Sequence, residues 1–500
     1  MSLSKKQLWL GLLLVALLAI VPSVGTLDAG LVSDDTAALG FVHREAPLAD
    51  LASPQYDLRS FRFWRPLVTL SLDLQEAITG AAPAPLRLFN LLGHLASALL
   101  LVGIARRLGV TLVGAALVGA LAAFFPYQGG TVTWIVGRVD SLMVPLVLGS
   151  LLALLSGRSL VAALLGLLAL ATKETAIVLP VLGLVLCWAQ GNLADGEGEG
   201  EARGAHLRRL APLTLALAVV FVLRRFAIGD WIGGYPGGLS AALDGGPIWT
   251  LAWDASRAAM VALGPLAAGL ALVVLWVYGR GFRSGWSGES RRSALLLGAT
   301  FLAAAVALAP VVTNLATGDV PLEHRRTLYL ADCLAVLGPG ALFLRPREER
   351  RSPRAAVAPA LVLLVLLGLR GQAAWLDTHA WAAAGHEADR LAAAVHDSLD
   401  GVASSEVPVL SAAAPRTLEG TVRDWTEARA ALTELRVSES RLRQIIDLVP
   451  HMIYAKNAEG RFLLVNQAVA DTFDKTVEQV TGAKLVDLYP NRQEAERMLV

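Results

Sequence analysis

The chain has 500 residues, of which 55% are hydrophobic and 17% are charged. Soluble domains carry about 25% charged residues, so the composition excludes a chain that is soluble over most of its length. The 43 basic residues nearly balance the 42 acidic ones, and this net charge of +1 gives no reason to expect nucleic-acid binding. Two cysteines, Cys187 and Cys333, lie in separate apolar runs, which excludes a disulfide framework and a cysteine-built zinc site.

Apolar runs long enough to cross a bilayer recur along the first 370 residues. A membrane-spanning helix needs about 20 apolar residues, and about eleven runs approach this length. They lie at 8–24, 88–105, 109–125, 141–156, 159–172, 175–190, 210–228, 255–278, 293–313, 327–344 and 356–369. Several are short, so the number carries an uncertainty of about one or two. The pattern predicts a polytopic α-helical membrane protein.

The orientation follows from the basic residues. Lysines and arginines are more frequent in the loops on the N-terminal side of the membrane, which predicts a cytoplasmic N-terminus. The first run has no clear small-residue cleavage site and is expected to remain as the first helix. The predicted location is the cell membrane, specifically a bacterial inner membrane, with the lipid bilayer as an obligatory partner. Eleven spans would place the C-terminal part outside the cell and ten would place it inside, and the sequence leaves both open.

Polar side chains collect at the helix ends on the predicted outer side. Each one alone is equally well explained by solvation or by snorkelling at the interface, but ionisable residues at membrane depth are functional candidates. Because all of them fall on one side, we expect one extracytoplasmic site. Its candidate residues are Asp34, Asp35, Arg65, Asn90, His94, Arg138, Asp140, Lys173, Glu174, Arg325, Arg326 and Tyr329.

These residues belong to short motifs with a fixed order. They read Asp-Asp after the first span, Trp-Arg-Pro-Leu, Phe-Asn-Leu-Leu-Gly-His, Phe-Pro, Trp-Ile-x-Gly-Arg-x-Asp, Lys-Glu and Arg-x-x-Tyr-Leu. In this order the motifs resemble those of the GT-C membrane glycosyltransferases. The resemblance covers about residues 1–370 and is closest to the protein O-mannosyltransferase-like branch, which includes transmembrane proteins with tetratricopeptide tails.

The resemblance implies a polyprenyl-phosphate-linked sugar as the donor and Asp34 or Asp35 as the catalytic base. It implies that arginines stabilise the leaving lipid phosphate through preorganised charge, and that Asn90 and His94 orient the outer loop or the sugar. The arginines are Arg65, Arg138 and either Arg325 or Arg326. Further substrate-binding residues are Asp140, Lys173, Glu174 and Tyr329. No metal ligand is assigned, and the cofactor is left open.

One position departs from the family. Its members commonly carry His-Pro and, four residues after that proline, a glutamate. This chain has Phe125-Pro126 and Gly130 at those positions. The departure favours an alternative in which the transferase-like scaffold is inactive and serves a membrane-bound sensor. A third possibility is a fusion or truncated chain with neither activity.

The composition changes after residue 370. Residues 371–424 are predicted to form an amphipathic surface helix and a linker. An apolar heptad over 425–446 predicts a coiled-coil lead-in, through which two chains could pair as a homodimer together with the segment that follows.

Residues 437–500 predict a small α+β domain. Two apolar runs flank a turn at Asn457 to Gly460 and indicate a β-hairpin, and Asn466 is expected to cap the next helix. The string from Ile445 to Ala470 resembles a PAS sensory domain. A complete PAS fold is longer, so we expect a truncated domain, with an output domain for signal transduction beyond residue 500. No residue stands out as a haem ligand or a flavin-reactive cysteine.

Overall fold

The computed structural model describes residues 5–32, 35–40, 54, 63–193, 199–229, 265–284, 288–311, 325–344, 357–398, 453–457 and 461–488. These residues fall into two compact units. The first comprises residues 1–29 and 37–382, and the second comprises residues 30–36 and 383–500. Each unit is described by itself below.

The first unit is helical. The helices up to residue 193 are α1 (Lys5–Ile20), α2 (Asp35–Gly40), which begins in the second unit, α3 (Pro66–Thr79), α4 (Pro83–Arg107), α5 (Leu112–Ala123), α6 (Arg138–Leu155), α7 (Ser159–Thr172) and α8 (Leu179–Leu193). They are followed by α9 (Glu199–Ile228), α10 (Pro265–Ser284), α11 (Gly288–Leu308), α12 (Tyr329–Ala335) and α13 (Val357–Ser398).

Helix α6 lies at the centre of this unit and packs against α4, α7 and α8. Many of its apolar side chains are buried, and Val144, Leu148 and Leu151 are fully so. Helix α4 approaches α6 closely at Gly93, where a Cβ atom would collide with the carbonyl oxygen of Ser141. A small residue at this crossing lets the two backbones meet, as is common between membrane helices.

The surface of the first unit is that of a membrane protein. Within the described residues, seven helices are long and apolar enough to cross a bilayer. Their outward faces expose large apolar side chains, for example Trp9, Leu160 and Phe226 at 70%, 79% and 79% of their area, which suits lipid and not water. The prediction of a polytopic helical membrane protein is confirmed. The number of about eleven spans stays a prediction, because α5 and α7 are short and part of the predicted span 255–278 lies outside the described residues.

The predicted span at 327–344 is wrong as a single helix. Helix α12 ends at Ala335, and a separate 3-10 turn follows over Gly338–Phe343. The break falls at Gly338-Pro339-Gly340, where Pro339 lacks the backbone N–H that a continuing helix would need. Both pieces are buried in the unit.

A single helix continues across the predicted domain boundary at residue 370. Helix α13 runs without a break from Val357 to Ser398, so the predicted apolar span and the predicted surface helix are one element. Arg370, Ala374 and Thr378 follow one another on its buried face, each fully buried. This face packs inside the first unit and does not lie on the surface.

An ion pair fixes α13 to α12 in the interior. The Arg370 guanidinium donates from Nη1 to Oδ1 of Asp332 at 2.9 Å and from Nη2 to Oδ2 at 2.7 Å. Its Nε donates to the carbonyl oxygen of Leu121 at 3.0 Å. The side chains of Arg370 and Asp332 are 0% and 1% exposed. Each charge depends on the other because neither reaches water.

The described part of the second unit contains a small sheet. Strands β1 (Tyr454–Lys456) and β2 (Phe462–Val465) pair antiparallel, with Tyr454 opposite Val465. Asn466 follows, and its side chain accepts from the Val469 N–H at the start of α14 (Gln467–Thr472). Two short helices, α15 (Val477–Val480) and α16 (Leu485–Leu488), complete the packing. The predicted hairpin and helix cap are confirmed.

Several predictions for the C-terminal part lie outside the described residues. They are the linker over 401–424, the coiled-coil lead-in over 425–446 and the homodimer that depends on it. They stay predictions.

Replacing Arg370 by Met should destabilise the first unit, because the Asp332 carboxylate would remain buried without its partner. The expected loss is about 3–5 kcal/mol, measured by thermal unfolding of the detergent-solubilised protein. The double variant Arg370→Met/Asp332→Leu should lose less than Arg370→Met alone. Arg158→Met, at an exposed position, is the control and should change stability by less than about 0.5 kcal/mol. A double variant less stable than Arg370→Met would contradict this account.

Candidate active site

The segment between α5 and α6 contributes a buried turn to the candidate site. Residues Gly129–Thr133 make one turn of π-helix, followed by Trp134 and a 3-10 turn at Ile135–Gly137, and the whole stretch is buried. Helix α4 holds this segment in place. Arg87 donates from Nε to the Thr133 carbonyl oxygen at 2.6 Å, and Asn90 donates from Nδ2 to the carbonyl oxygen of Trp134 at 3.2 Å. The predicted role of Asn90 in orienting the outer loop or the sugar stays a prediction.

Three of the predicted residues meet at the start of α6. The Asp140 carboxylate accepts from Nζ of Lys173 at 2.5 Å and from Nε of Arg326 at 3.1 Å. The side chain of Asp140 is 2% exposed, that of Lys173 6% and that of Arg326 15%. Burial lowers the pKa of the Lys173 ammonium, and the Asp140 carboxylate opposes that shift. Two cations thus share one carboxylate, and Asp140, Lys173 and Arg326 are called the cation cluster below.

Arg65 and Glu174 form a second pair beside the first. Arg65 donates from Nε to Oε2 of Glu174 at 3.1 Å and from Nη2 to Oε1 at 2.6 Å. Glu174 follows Lys173 directly, and Arg65 acts electrostatically on Lys173. The two-point geometry is the strong form of such a pair. It brings the Trp-Arg-Pro and Lys-Glu motifs together, as the sequence predicts.

The Arg138 guanidinium is bound by acceptors of the protein itself. Its guanidinium is fully buried and donates to the carbonyl oxygen of Ser71 at 3.2 Å, to Oε1 of Gln75 at 2.6 Å and to the carbonyl oxygen of Leu86 at 2.9 Å. It also lies 4.4 Å from the centre of the Phe89 ring. This environment favours a role in holding α3, α4 and α6 together. The predicted contact with a leaving phosphate would require these bonds to break.

His94 and Tyr329 form a buried pair away from solvent. The His94 Nδ1 and the Tyr329 hydroxyl are 2.7 Å apart, and Nε2 lies 3.0 Å from the Ala123 carbonyl oxygen. Since a carbonyl oxygen only accepts, Nε2 carries the proton and Nδ1 accepts from the Tyr329 hydroxyl. Both residues are fully buried. The pair ties α4 to α12 and to the end of α5.

Arg325 and Arg326 lie against aromatic rings of the same segment. Arg325 is 5.4 Å from the centre of the Tyr127 ring, and Arg326 is 4.3 Å from that of Trp134. Burial raises the pKa of the Tyr127 phenol, and Arg325 opposes that shift. The cation cluster is therefore bordered by the buried indole of Trp134.

Two residues of α13 belong to this site and were missed by the sequence analysis. The Asp377 carboxylate accepts the Gly129 N–H through Oδ2 at 2.7 Å, and the Trp381 ring stacks on Trp134 with the ring centres 5.1 Å apart. A sequence signal exists. Asp377 and Trp381 are four residues apart and hence share one face of the helix.

The predicted catalytic base is only partly described. Asp34 lies outside the described residues. Asp35 is fully buried at the start of α2, and its Oδ2 accepts the Val32 N–H at 3.2 Å. Asp35 belongs to the second unit, so the meeting of this carboxylate with the arginines of the first unit stays a prediction. No group of three or more His, Cys, Asp or Glu side chains that could hold a metal occurs among the described residues.

Comparison with known proteins gives relatives for both parts. Over 205 residues the chain is 35% identical to protein O-mannosyl-transferase Tmtc1 of Drosophila melanogaster, a match that covers 37% of this chain and 23% of that relative. The PAS fold family model matches residues 440–499. The homology and the family match confirm the two resemblances seen in the sequence, to the GT-C-type membrane glycosyltransferases and to PAS domains. A bacterial membrane and a role in signal transduction stay predictions.

Two solved structures were also found. The archaeal oligosaccharyltransferase AglB from Archaeoglobus fulgidus, in complex with an inhibitory peptide and a dolichol-phosphate, matches with a TM-score of 0.46 and 10% identity over 75% of this chain and 56% of its own. ArnT from Cupriavidus metallidurans, bound to undecaprenyl phosphate, matches with a TM-score of 0.43 and 14% identity over 83% of this chain and 84% of its own.

Gly129 and Gly130 should respond differently to alanine. A Cβ at Gly129 would collide with the Trp381 ring and lie 2.8 Å from the Asp377 carbonyl oxygen, whereas a Cβ at Gly130 would lie 3.5 Å from the Arg326 Cβ, an ordinary contact. Gly129→Ala should cost about 1–3 kcal/mol of stability through overpacking, and Gly130→Ala less than about 1 kcal/mol. Thermal unfolding in detergent measures both. Equal losses would show that Trp381 does not pack on Gly129.

Proposed function

We propose that the chain is a membrane glycosyltransferase that moves a sugar from a polyprenyl-phosphate donor to an extracytoplasmic acceptor, with a PAS domain in its C-terminal part. The observation that carries the proposal is the cation cluster around Asp140, in a chain homologous to a protein O-mannosyl-transferase. A buried cluster in which two cations share one carboxylate suits the phosphate of a lipid carrier, because charge-assisted contacts are strong where water is excluded.

The proposed reaction uses a carboxylate as the catalytic base and cations to stabilise the leaving group. Asp34 or Asp35 would take the proton of the acceptor hydroxyl while the acceptor oxygen attacks the anomeric carbon of the sugar. The bond between that carbon and the phosphate oxygen breaks, and the polyprenyl phosphate leaves with the electron pair. Lys173 and the arginines Arg325 and Arg326 would stabilise the negative charge that the phosphate gains, which is where preorganised cations contribute most.

The remaining polar residues have supporting roles in this proposal. Arg65 and Glu174 are joined by two hydrogen bonds. This pair would border the cation cluster and help to keep Lys173 in position. Arg138 would hold the helices that carry the cluster and would not touch the donor, since its donors are used by the protein.

A second candidate function is a membrane-bound sensor on an inactive transferase-like scaffold. Gly130 in place of the family glutamate and the PAS match at residues 440–499 favour it. In this case the domain would pass a signal through the chain, and a homodimer formed by the coiled-coil and PAS segments would carry it. A wild-type protein that transfers no sugar and binds no polyprenyl phosphate would favour this alternative.

Replacing the base should abolish transfer without unfolding the protein. In membranes that contain the full-length chain, with radiolabelled polyprenyl-phosphate mannose as the donor probe, Asp34→Asn or Asp35→Asn should lower the turnover rate by at least about 100-fold. Asp28→Asn is the matched control, because Asp28 lies a few residues earlier in the chain at an exposed position. This variant should transfer at the wild-type rate. Full transfer by both Asp34→Asn and Asp35→Asn would remove the base assignment.

A further inference from the structure

The segment that carries the proposed catalytic base lies against the C-terminal part of α13. Both belong to the second unit, which comprises residues 30–36 and 383–500. Gly30 is buried, and a Cβ at this position would collide with the Asp389 carboxylate and with the carbonyl oxygen of Gly385. Gly385 is buried as well and also has no side chain. The two glycines therefore let the backbone of the segment meet the backbone of α13.

The preceding turns of α13 are fixed in the first unit. Asp377 accepts the Gly129 N–H at 2.7 Å, and the Trp381 ring stacks on that of Trp134 at an interplanar angle of 17°. From these residues the helix continues without a break to Ser398. Groups held by a helix are placed more precisely than groups held by a loop, so α13 can serve as a firm support for whatever contacts its next turns.

The contacting residues of α13 follow a regular spacing. Successive members are four residues apart and are therefore neighbours on the helix surface. They are Asp377, Trp381, Gly385 and Asp389. The first two contact the turn that begins at Gly129, within the first unit, and the last two contact Gly30, within the second. One stretch of a single helix thus supports two segments that are about 100 residues apart in the sequence.

The acidic segment is closed by hydrogen bonds of its own. Oδ2 of Asp35 accepts the Val32 N–H at 3.2 Å, and the Asp35 N–H donates to the Val32 carbonyl oxygen at 3.1 Å. Val32 is 8% exposed and Asp35 is 0% exposed. Because these bonds tie Asp35 to a residue only two positions after Gly30, a shift of the backbone at Gly30 is passed on to the acidic pair.

We propose that Gly30 and the turn of α13 from Gly385 to Asp389 position the acidic segment that carries Asp34 and Asp35. They are positioning residues and do not touch the reacting atoms. The inference rests on the proposed function, in which one of the two aspartates takes the proton of the acceptor hydroxyl. A base acts only within hydrogen-bond reach of that proton. The support therefore acts on the rate of transfer and not on the binding of the donor phosphate, which the cations of the first unit would perform.

Gly30→Ala tests the contact directly. Gly30 does not have a positive φ, so alanine adds a collision with α13 without backbone strain. In membranes that contain the full-length chain, with radiolabelled polyprenyl-phosphate mannose as the donor probe, kcat should fall about 100-fold, the effect of misplacing a reacting group. The Kd for polyprenyl phosphate should change by less than about threefold, because donor binding is retained. Gly368→Ala is the matched control, since a Cβ at this position of α13 meets open space, and it should transfer at the wild-type rate.

Ala384→Pro tests the helix without adding bulk at Gly30. Ala384 is exposed and lies between Trp381 and Gly385, so a proline there kinks or breaks α13 between its two sets of contacts. This variant should lower kcat at least about tenfold. Melting temperatures in detergent show which variants are folded, and if Gly30→Ala is not, Ala384→Pro decides. A folded Gly30→Ala or Ala384→Pro with wild-type kcat overturns the inference. A Kd for polyprenyl phosphate that rises as much as kcat falls also overturns it, because the contact would then support the fold as a whole.

The failure of this inference can be told from the failure of the proposed function. If the wild-type chain neither transfers mannose nor binds polyprenyl phosphate, the transferase proposal fails and the inference falls with it. If the wild type transfers sugar and a folded Gly30→Ala does so equally well, only the positioning role of the contact between Gly30 and α13 is lost.

Discussion

The first unit depends on the pairing of charges that are withdrawn from water. A charge at membrane depth costs several kcal/mol unless a partner or a ligand compensates it. Arg370 and Asp332 neutralise each other, and three hydrogen bonds join the Arg370 guanidinium to α12 and α5. Asp140 instead serves two cations. The first arrangement holds helices together, and the second brings two cations to one carboxylate. The same constraint therefore separates an arginine that is matched one to one from an arginine that shares its carboxylate.

This separation explains why the sequence could predict the site only in part. The motif order led us to expect one site, and in the structure Asp140, Lys173 and Arg326 lie together and Arg65 pairs with Glu174. The roles of these residues stay predictions. Sequence could not divide the arginines by role, because Arg138 and Arg326 both belong to short polar motifs at helix ends. The difference lies in partners that are distant along the chain. Arg138 donates to acceptors on α3 and α4, which only the folded helices bring within reach.

The fold was predictable where local signals decide it. Apolar runs gave the helices of the first unit, and the polar turn between alternating runs gave the hairpin of β1 and β2. The errors lie where local and long-range effects compete. A continuous hydropathy pattern over 327–344 hid the break at Pro339. The change in composition at residue 370 suggested an end to the membrane part, but Arg370 is neutralised by Asp332, and α13 continues. The composition of a segment shows that it contains a charged residue, but it does not show whether that charge has a partner elsewhere in the fold.

The glycine at position 129 illustrates how a missing side chain can shape the packing of a site. A motif is defined along the sequence, but contacts are made in space, so an element that is distant along the chain can reach the same turn. Gly129 leaves room for Trp381 to pack on the backbone, and this close approach lets the preceding turn of α13 present Asp377 to the Gly129 N–H. A bulkier residue at Gly129 would push α13 away. Because Gly129 has no Cβ, α13 can come close enough for the Asp377 carboxylate to accept the Gly129 N–H. The next residue, Gly130, has no side chain that could supply a carboxylate.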